Sequence, residues 1–216
     1  MIYSPYKNEI QKIKKTIMKK TAIFVASLFL LFSAKAQEVH FGIKGGLNVS
    51  QLHFEDNSSS DSKVGLHLGI LAHIHTTSRS WAIQPELLYS MEGARNVVHV
   101  GNNYNLNYLN VPVLLQYLFD NGFRIEGGPQ IGFLLSANVR NDNGTFRDKA
   151  YKTTAFSIPL GLGYVAPSGL GIDARYVFGV SNINSYSRDY GTIQSNVFQL
   201  GLFYQMGDTK TRSHRR

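Results

Sequence analysis

The chain has 216 residues, a formal net charge of +8 and a pI near 9.6, values that first suggest a small basic domain for nucleic acid. The excess sits at the ends, because residues 1–36 hold seven Lys and one Glu and residues 208–216 hold four basic residues and one acidic; the body is close to neutral and no basic stripe remains to track a phosphate backbone, so no nucleic-acid partner is expected. No cysteine is present, which excludes disulfides, thiolate metal sites and thiol nucleophiles.

Met18, Lys19 and Lys20 form a positive n-region, residues 22–32 an apolar stretch, and Ala34-Lys35-Ala36 a small-x-small cleavage site ahead of Gln37. This is the pattern of a secretory signal peptide over 1–36, with Met18 as its natural start. The stretch is shorter than the roughly twenty apolar residues a spanning helix needs. The expected organisation is signal peptide 1–36, barrel domain 37–207 and basic tail 208–216.

From residue 39 the chain alternates apolar and polar or glycine residues, the period of an extended strand. The first segment, 39–49, sets Val39, Phe41, Ile43, Leu47 and Val49 against His40, Gly42, Lys44, Gly46 and Asn48. The second, 63–75, sets Val64, Leu66, Leu68, Ile70, Ala72 and Ile74 against Lys63, Gly65, His67, Gly69, His73 and His75; only Leu71 breaks the pattern. Strands of about nine to eleven residues cross a bilayer when tilted, so the second segment spans with residues to spare.

The third segment, 81–91, puts Trp81, Ile83, Leu87, Tyr89 and Met91 on one face and Gln84, Glu86 and Ser90 on the other. In the fourth, Leu109, Val111, Val113, Leu115 and Tyr117 share a face, while 104–108 runs on the opposite parity. Pro112 cannot donate to a ladder, so a bulge or register shift is expected there. The fifth, 123–137, alternates Phe123, Ile125, Ile131, Phe133 and Leu135 with Arg124, Glu126, Gly128, Gln130 and Gly132. The sixth, 152–166, the seventh, 170–181, and the eighth, 194–206, continue the pattern, with Asp173 and Arg175 on the polar side of the seventh.

Short turns at 76–80, 120–122 and 167–169 alternate with long polar connections at 50–62, 93–103, 138–151 and 182–193. Eight strands with alternating short and long links fit an outer-membrane barrel, whose short turns face the periplasm. A lipocalin-like soluble barrel for a ligand is the alternative and would reverse the faces, but its solvated exterior would be rich in Lys and Glu. The polar face here is rich in glycine with scattered charges. The reading is an all-β, eight-stranded antiparallel up-and-down transmembrane barrel in the cell outer membrane, monomeric, with lipid around it and the four long loops free to meet a protein partner.

The segments Phe41-Gly42-Ile43-Lys44-Gly45-Gly46-Leu47-Asn48, Gln84-Pro85-Glu86-Leu87-Leu88-Tyr89, residues 108–117, Gly127-Gly128-Pro129-Gln130-Ile131-Gly132 and Asp173-Ala174-Arg175-Tyr176 together resemble the PorT-type outer-membrane β-barrel family of Gram-negative bacteria. The resemblance implies the same barrel and, through the founding member, an association with a secretion and sliding-motility apparatus. Asn110 and Gln116 depart from the pattern, standing where an acidic and a basic residue are expected. The basic tail also leaves the expected assembly signal, 200–204, internal.

Inward candidates are Lys44, His67, His73, Glu86, Glu92, Arg124, Glu126, Asp173 and Arg175. Eight strands leave an interior just wide enough for side chains to fill, so buried charges must pair. The expectation is an interior polar network of Lys44, Glu86, Arg124, Glu126, Asp173 and Arg175, with the two arginines and three carboxylates closing the lumen. A lipid-modifying enzyme would need a base and a nucleophile near one rim; His53, His99 and Ser58 to Ser60 supply atoms without a selecting spacing. His73 and His75 lie about seven Å apart along a strand, wider than one ion's usual shell. No catalytic residue, metal or cofactor is assigned, and the function expected is non-enzymatic, structural or accessory.

Overall fold

The computed structural model describes residues 39–54, 60–78, 80–95, 103–141, 144–147, 151–184 and 191–207; the expected signal peptide and basic tail lie outside them. The strands are β1 (Val39–Phe54), β2 (Asp61–His75), β3 (Trp81–Arg95), β4 (Asn103–Leu118), β5 (Phe123–Gly127), β6 (Gln130–Asn141), β7 (Gly144–Arg147), β8 (Thr154–Val165), β9 (Leu170–Gly179) and β10 (Ile193–Gln205).

Every neighbour pairs antiparallel, and β10 returns to β1, from Gly42 opposite Gln205 to Phe54 opposite Ile193, which closes the sheet on itself. β5 and β6 are one stave: Gly127 faces Leu115 and Gln130 faces Pro112 in the same ladder phase, with only Gly128-Pro129 between them. β7 is a short hairpin arm on β6, outside the ring. Eight staves result, as the alternation predicts.

Leu66, Leu68 and Ile70 are 55%, 68% and 58% exposed on the outer surface, whereas Arg124 and Asp173 are 2% and 4% exposed inside. This polarity is the reverse of a soluble barrel, so the lipocalin-like reading is overturned. A wall of exposed Leu, Ile and Phe is stable only against hydrocarbon, and a closed barrel leaves no unpaired backbone there. Aromatics collect towards the end with the short turns, where Trp81 packs edge-on against Tyr117 at 5.1 Å, Tyr117 against Phe119 at 5.0 Å and Phe123 against Tyr164 at 5.2 Å. Tyr176 and Phe178 stack at 4.5 Å further along the wall. Such rings belong at the membrane interfaces.

Three expectations are corrected. First, the strands extend past the predicted loop edges, β1 to Phe54, β2 from Asp61 and β3 to Arg95. Beyond the hydrocarbon the outward face meets polar surroundings, so it loses the apolar residues that made the alternation readable. Second, Pro112 brings no register shift: it stays on the inward parity, opposite Gln130, and the ladder to β3 simply lacks the Glu86 and Leu87 rungs. The shift lies instead between Asn107 and Tyr108, with Leu135 as the extra residue on β6. Third, β4 keeps one parity throughout, so Tyr104, Leu106 and Tyr108 point inward.

Those residues join Leu52, Ala94, Ala137, Tyr151 and Ile183 in an apolar cluster within the end that carries the long connections. The interior therefore carries its charged groups in the lipid-spanning part, interspersed with Leu71, Leu88 and Leu114, and an apolar cluster above them.

Candidate functional site

The inward parity of each stave delivers one layer of polar groups to the lumen. Lys44 on β1, Glu86 on β3, Glu126 on β5 and Asp173 with Arg175 on β9 meet at one level, all buried. Arg175 donates from Nη1 to Glu86 Oε2 and from Nη2 to Glu86 Oε1, both at 2.7 Å. Its Nε donates to Glu126 Oε1, and Asp173 Oδ1 lies 3.7 Å away. Lys44 Nζ donates to Asp173 Oδ1 at 2.8 Å and stands 4.0 Å from Glu86 Oε2. One layer nearer the short turns, Arg124 Nη1 donates to Gln116 Oε1 at 3.4 Å and its guanidinium lies 5.2 Å from the centre of the Phe203 ring. Gln116 Nε2 in turn donates to Glu126 Oε2, and Gln84 Nε2 to Glu86 Oε1, each at 2.7 Å.

All six residues of the expected network thus lie inside, and five of them share ion pairs; Arg124 joins through Gln116. With Arg124 counted, three cations face three carboxylates, so the two layers together are formally neutral. That balance matters because a buried, unmatched charge costs several kcal/mol. Gln116 links Arg124 to Glu126.

The glycines of the inward face make room for these long side chains. A Cβ on Gly161 would lie 2.6 Å from Arg175 Cγ, and one on Gly201 would lie 2.8 Å from both Asp173 Oδ1 and Lys44 Cε. Glycine is required there by space, since the backbone at both positions is ordinary strand.

Above the charged layer sits a neutral one. Asn48 Oδ1 accepts from Gln199 Nε2 at 3.1 Å and from His67 Nδ1 at 2.8 Å, while Asn48 Nδ2 donates to Ser90 Oγ at 2.9 Å. Glu92 comes next, its Oε1 accepting from Ser90 Oγ and Asn110 Nδ2, both at 2.9 Å, and its Oε2 from Ser195 Oγ at 3.4 Å. A cavity of about 20 Å³ beside Glu92, Tyr108 and Asn110 holds a single water at most. Asn48, Asn110, Gln116 and Gln199 were not among the expected inward network residues, although inward parity was signal enough to find them.

The histidines divide. His67 belongs to the Asn48 layer, whereas His73 and His75 stack edge-on at 4.7 Å between ring centres, with His40 5.9 Å from His75. The rings approach more closely than the backbone spacing suggests. Among the described residues no group of three His, Cys, Asp or Glu has an arrangement that holds a metal ion. Of the rim candidates, Ser60 is buried with its Oγ donating to Leu52 O at 2.8 Å, and His53 is exposed; Ser58, Ser59 and His99 lie outside the described residues.

The sequence matches the outer membrane protein beta-barrel domain family over residues 35–185. Neisserial surface protein A shares the fold at 11% identity with a TM-score of 0.56, covering 77% of this chain and 97% of that one. Ail, the attachment invasion locus protein of Yersinia pestis, does so at 15% identity and a TM-score of 0.52, covering 78% and 99%. A second structure of Ail, in complex with the heparin analogue sucrose octasulfate, gives 16% identity and a TM-score of 0.50, with the same coverage. At these identities the likeness is one of fold. No curated protein matches the sequence.

Proposed function

The chain belongs to the outer membrane protein beta-barrel domain family and sits in the cell outer membrane, and from that premise we propose that it is a closed, non-enzymatic barrel that presents its outer loops to a partner. The observation that carries the reading is the filled lumen. A salt-bridged layer around Arg175 and the apolar cluster of Leu52, Leu106, Tyr108 and Ile183 block the same channel at two heights. A barrel blocked twice does not conduct, and Lys44, Glu86, Glu126, Asp173 and Arg175 are bound up in ion pairs with one another. What remains for recognition is the outer end, with the connections from β1 to β2, β3 to β4, β6 to β8 and β9 to β10.

Ail, which shares the fold, forms a complex with a heparin analogue, and the PorT-type resemblance points to an accessory role beside a protein-secretion apparatus. Both support a docking role for the outer loops here, with protein export the favoured setting. A monomer suits the role, since a ring of eight staves has no free edge to pair with a second copy.

The test is a pair of measurements on the barrel purified from outer membranes. In planar bilayers the wild type is expected to give no steady conductance; an open channel of constant size would overturn the plug. Site-specific photo-crosslinkers placed in 96–102 and 185–190 are expected to capture an export component in cells. Capture of lipid alone from both loops would overturn the docking role.

A further inference from the structure

Outward-facing residues of β4 change character abruptly. Val113, Val111 and Leu109 are apolar, and the next three on that face are Asn107, Asn105 and Asn103. On β3 the matching column runs Leu87, Tyr89, Met91, Gly93, Arg95, with Met91 opposite Asn107 and Gly93 opposite Asn105. On β6, Arg140 is the ladder partner of Asn103, so it shares their outer face. Arg95, Asn103, Asn105 and Arg140 line a cavity of about 390 Å³, and Lys63 reaches it from β2, where the register shift between Ser62 and His67 disturbs the alternation.

Height fixes what this cavity faces. From Trp81 to Met91 the outward column of β3 rises about 26 Å at a tilt near 40°, the thickness of the apolar band of an outer-membrane barrel. Arg95 lies four residues further, about 10 Å above that band, and points away from the barrel axis. It faces the headgroups of the surrounding outer leaflet rather than the lumen or the space above the loops. Three cations meet there, and the carboxylate next to them by register, Asp61, the ladder partner of Arg95, offsets one. Guanidinium forks bind phosphate oxygens two at a time, and side-chain amides such as those of Asn103 and Asn105 suit sugar hydroxyls. The volume is that of a small-molecule site.

We propose that Lys63, Arg95 and Arg140, with Asn103 and Asn105, form a lateral binding site for a phosphorylated glycolipid headgroup of the outer leaflet. The site is separate from the loop-docking role and rests only on the barrel's place in the outer membrane. Bound lipid would fix the rotation of the barrel in the leaflet and brace the strand ends that carry the outer loops.

The experiment measures binding and thermal unfolding of the detergent-solubilised full-length barrel with four probes: diphosphorylated lipid A, the same lipid after phosphatase treatment, inorganic phosphate and a sulfated polysaccharide. Lipid A is expected to bind and raise the unfolding temperature, and its affinity is expected to fall about tenfold for each of R95Q and R140Q, as loss of a charge-assisted hydrogen-bond pair implies. The unfolding temperature of both variants without lipid should equal the wild type, because these side chains are exposed and no ion pair holds them among the described residues. Lys152→Gln, which removes a charge outside the cavity, should leave binding unchanged. Equal binding of the phosphatase-treated lipid, equal binding of inorganic phosphate, or unchanged affinity in R95Q/R140Q would each overturn the proposal. Tighter binding of the polysaccharide than of lipid A would overturn the lipid as ligand.

Discussion

Arg175 and Glu86 face each other from diametrically opposite staves, four positions apart in the ring of eight, and are joined by two parallel hydrogen bonds of 2.7 Å. The pair is a strut across the full width of the barrel, tied on one side to Glu126 and on the other, through Asp173 and Glu86, to Lys44.

Arg175→Met removes the cation from two direct carboxylate contacts at once. The remaining acids outnumber the remaining bases in a dry interior, and breaking a buried pair of this kind costs about 3–5 kcal/mol. Heat-modifiable gel mobility should register unfolding at a clearly lower temperature. Glu86→Gln keeps the shape and one acceptor, so its loss should be smaller, about 1–3 kcal/mol. If both variants unfold with the wild type, the strut contributes nothing to stability.

Gly201→Val tests the floor beneath the Lys44–Asp173 contact. The added Cβ would lie 2.8 Å from groups on both sides of that pair, and overpacking a filled interior costs about 1–3 kcal/mol or more. Refolding yield into detergent should fall, and Gly201→Ala should fall between the two. Wild-type yield for Gly201→Val would mean the lumen has slack that the packing does not show.

Leu68→Arg places a cation at the middle of β2 on the lipid-facing side. Near the bilayer midplane the change costs about 2–4 kcal/mol, whereas Val39→Arg at the rim should cost about 0–1 kcal/mol. Urea titrations of the barrel in lipid vesicles give both values. Equal costs at the two positions would mean that β2 is not threaded through the membrane at this depth.

Gly122→Ala challenges the turn between β4 and β5. Gly122 has φ of 92°, and a Cβ there would lie 2.6 Å from Val165 O. A left-handed residue with a side chain costs about 1–2 kcal/mol before the clash is counted. Slower folding into vesicles is the expected readout, while the same change at Gly45, where the nearest atom lies at 3.4 Å, should be mild.

The second and seventh segments were legible from the chain alone because hydrocarbon on one side and a packed lumen on the other force opposite choices at successive residues. Val64, Leu66, Leu68 and Ile70 have no alternative to pointing out once Gly65 and His67 point in. The signal fades where the two environments stop differing. Around 50–54 and 92–95 the outside is polar rather than hydrocarbon, so strand and loop look alike in sequence, and the inward turn of Leu106 and Tyr108 reads as an inverted register. For the interior network, parity identifies which residues are inside. It does not say that Arg175 reaches Glu86, a partner 89 positions away in the chain, because that depends on ring closure and on which staves lie opposite.

The seam between β1 and β10 has its own implication for biogenesis. Since the first stave hydrogen-bonds to the last, a nascent or partly exported chain is an open sheet with two raw margins, and neither can be satisfied from within. Until its final stave arrives such an intermediate exposes unpaired N–H and C=O groups along both margins, and the pairing that runs from Gly42 opposite Gln205 converts a sticky ribbon into a sealed cylinder.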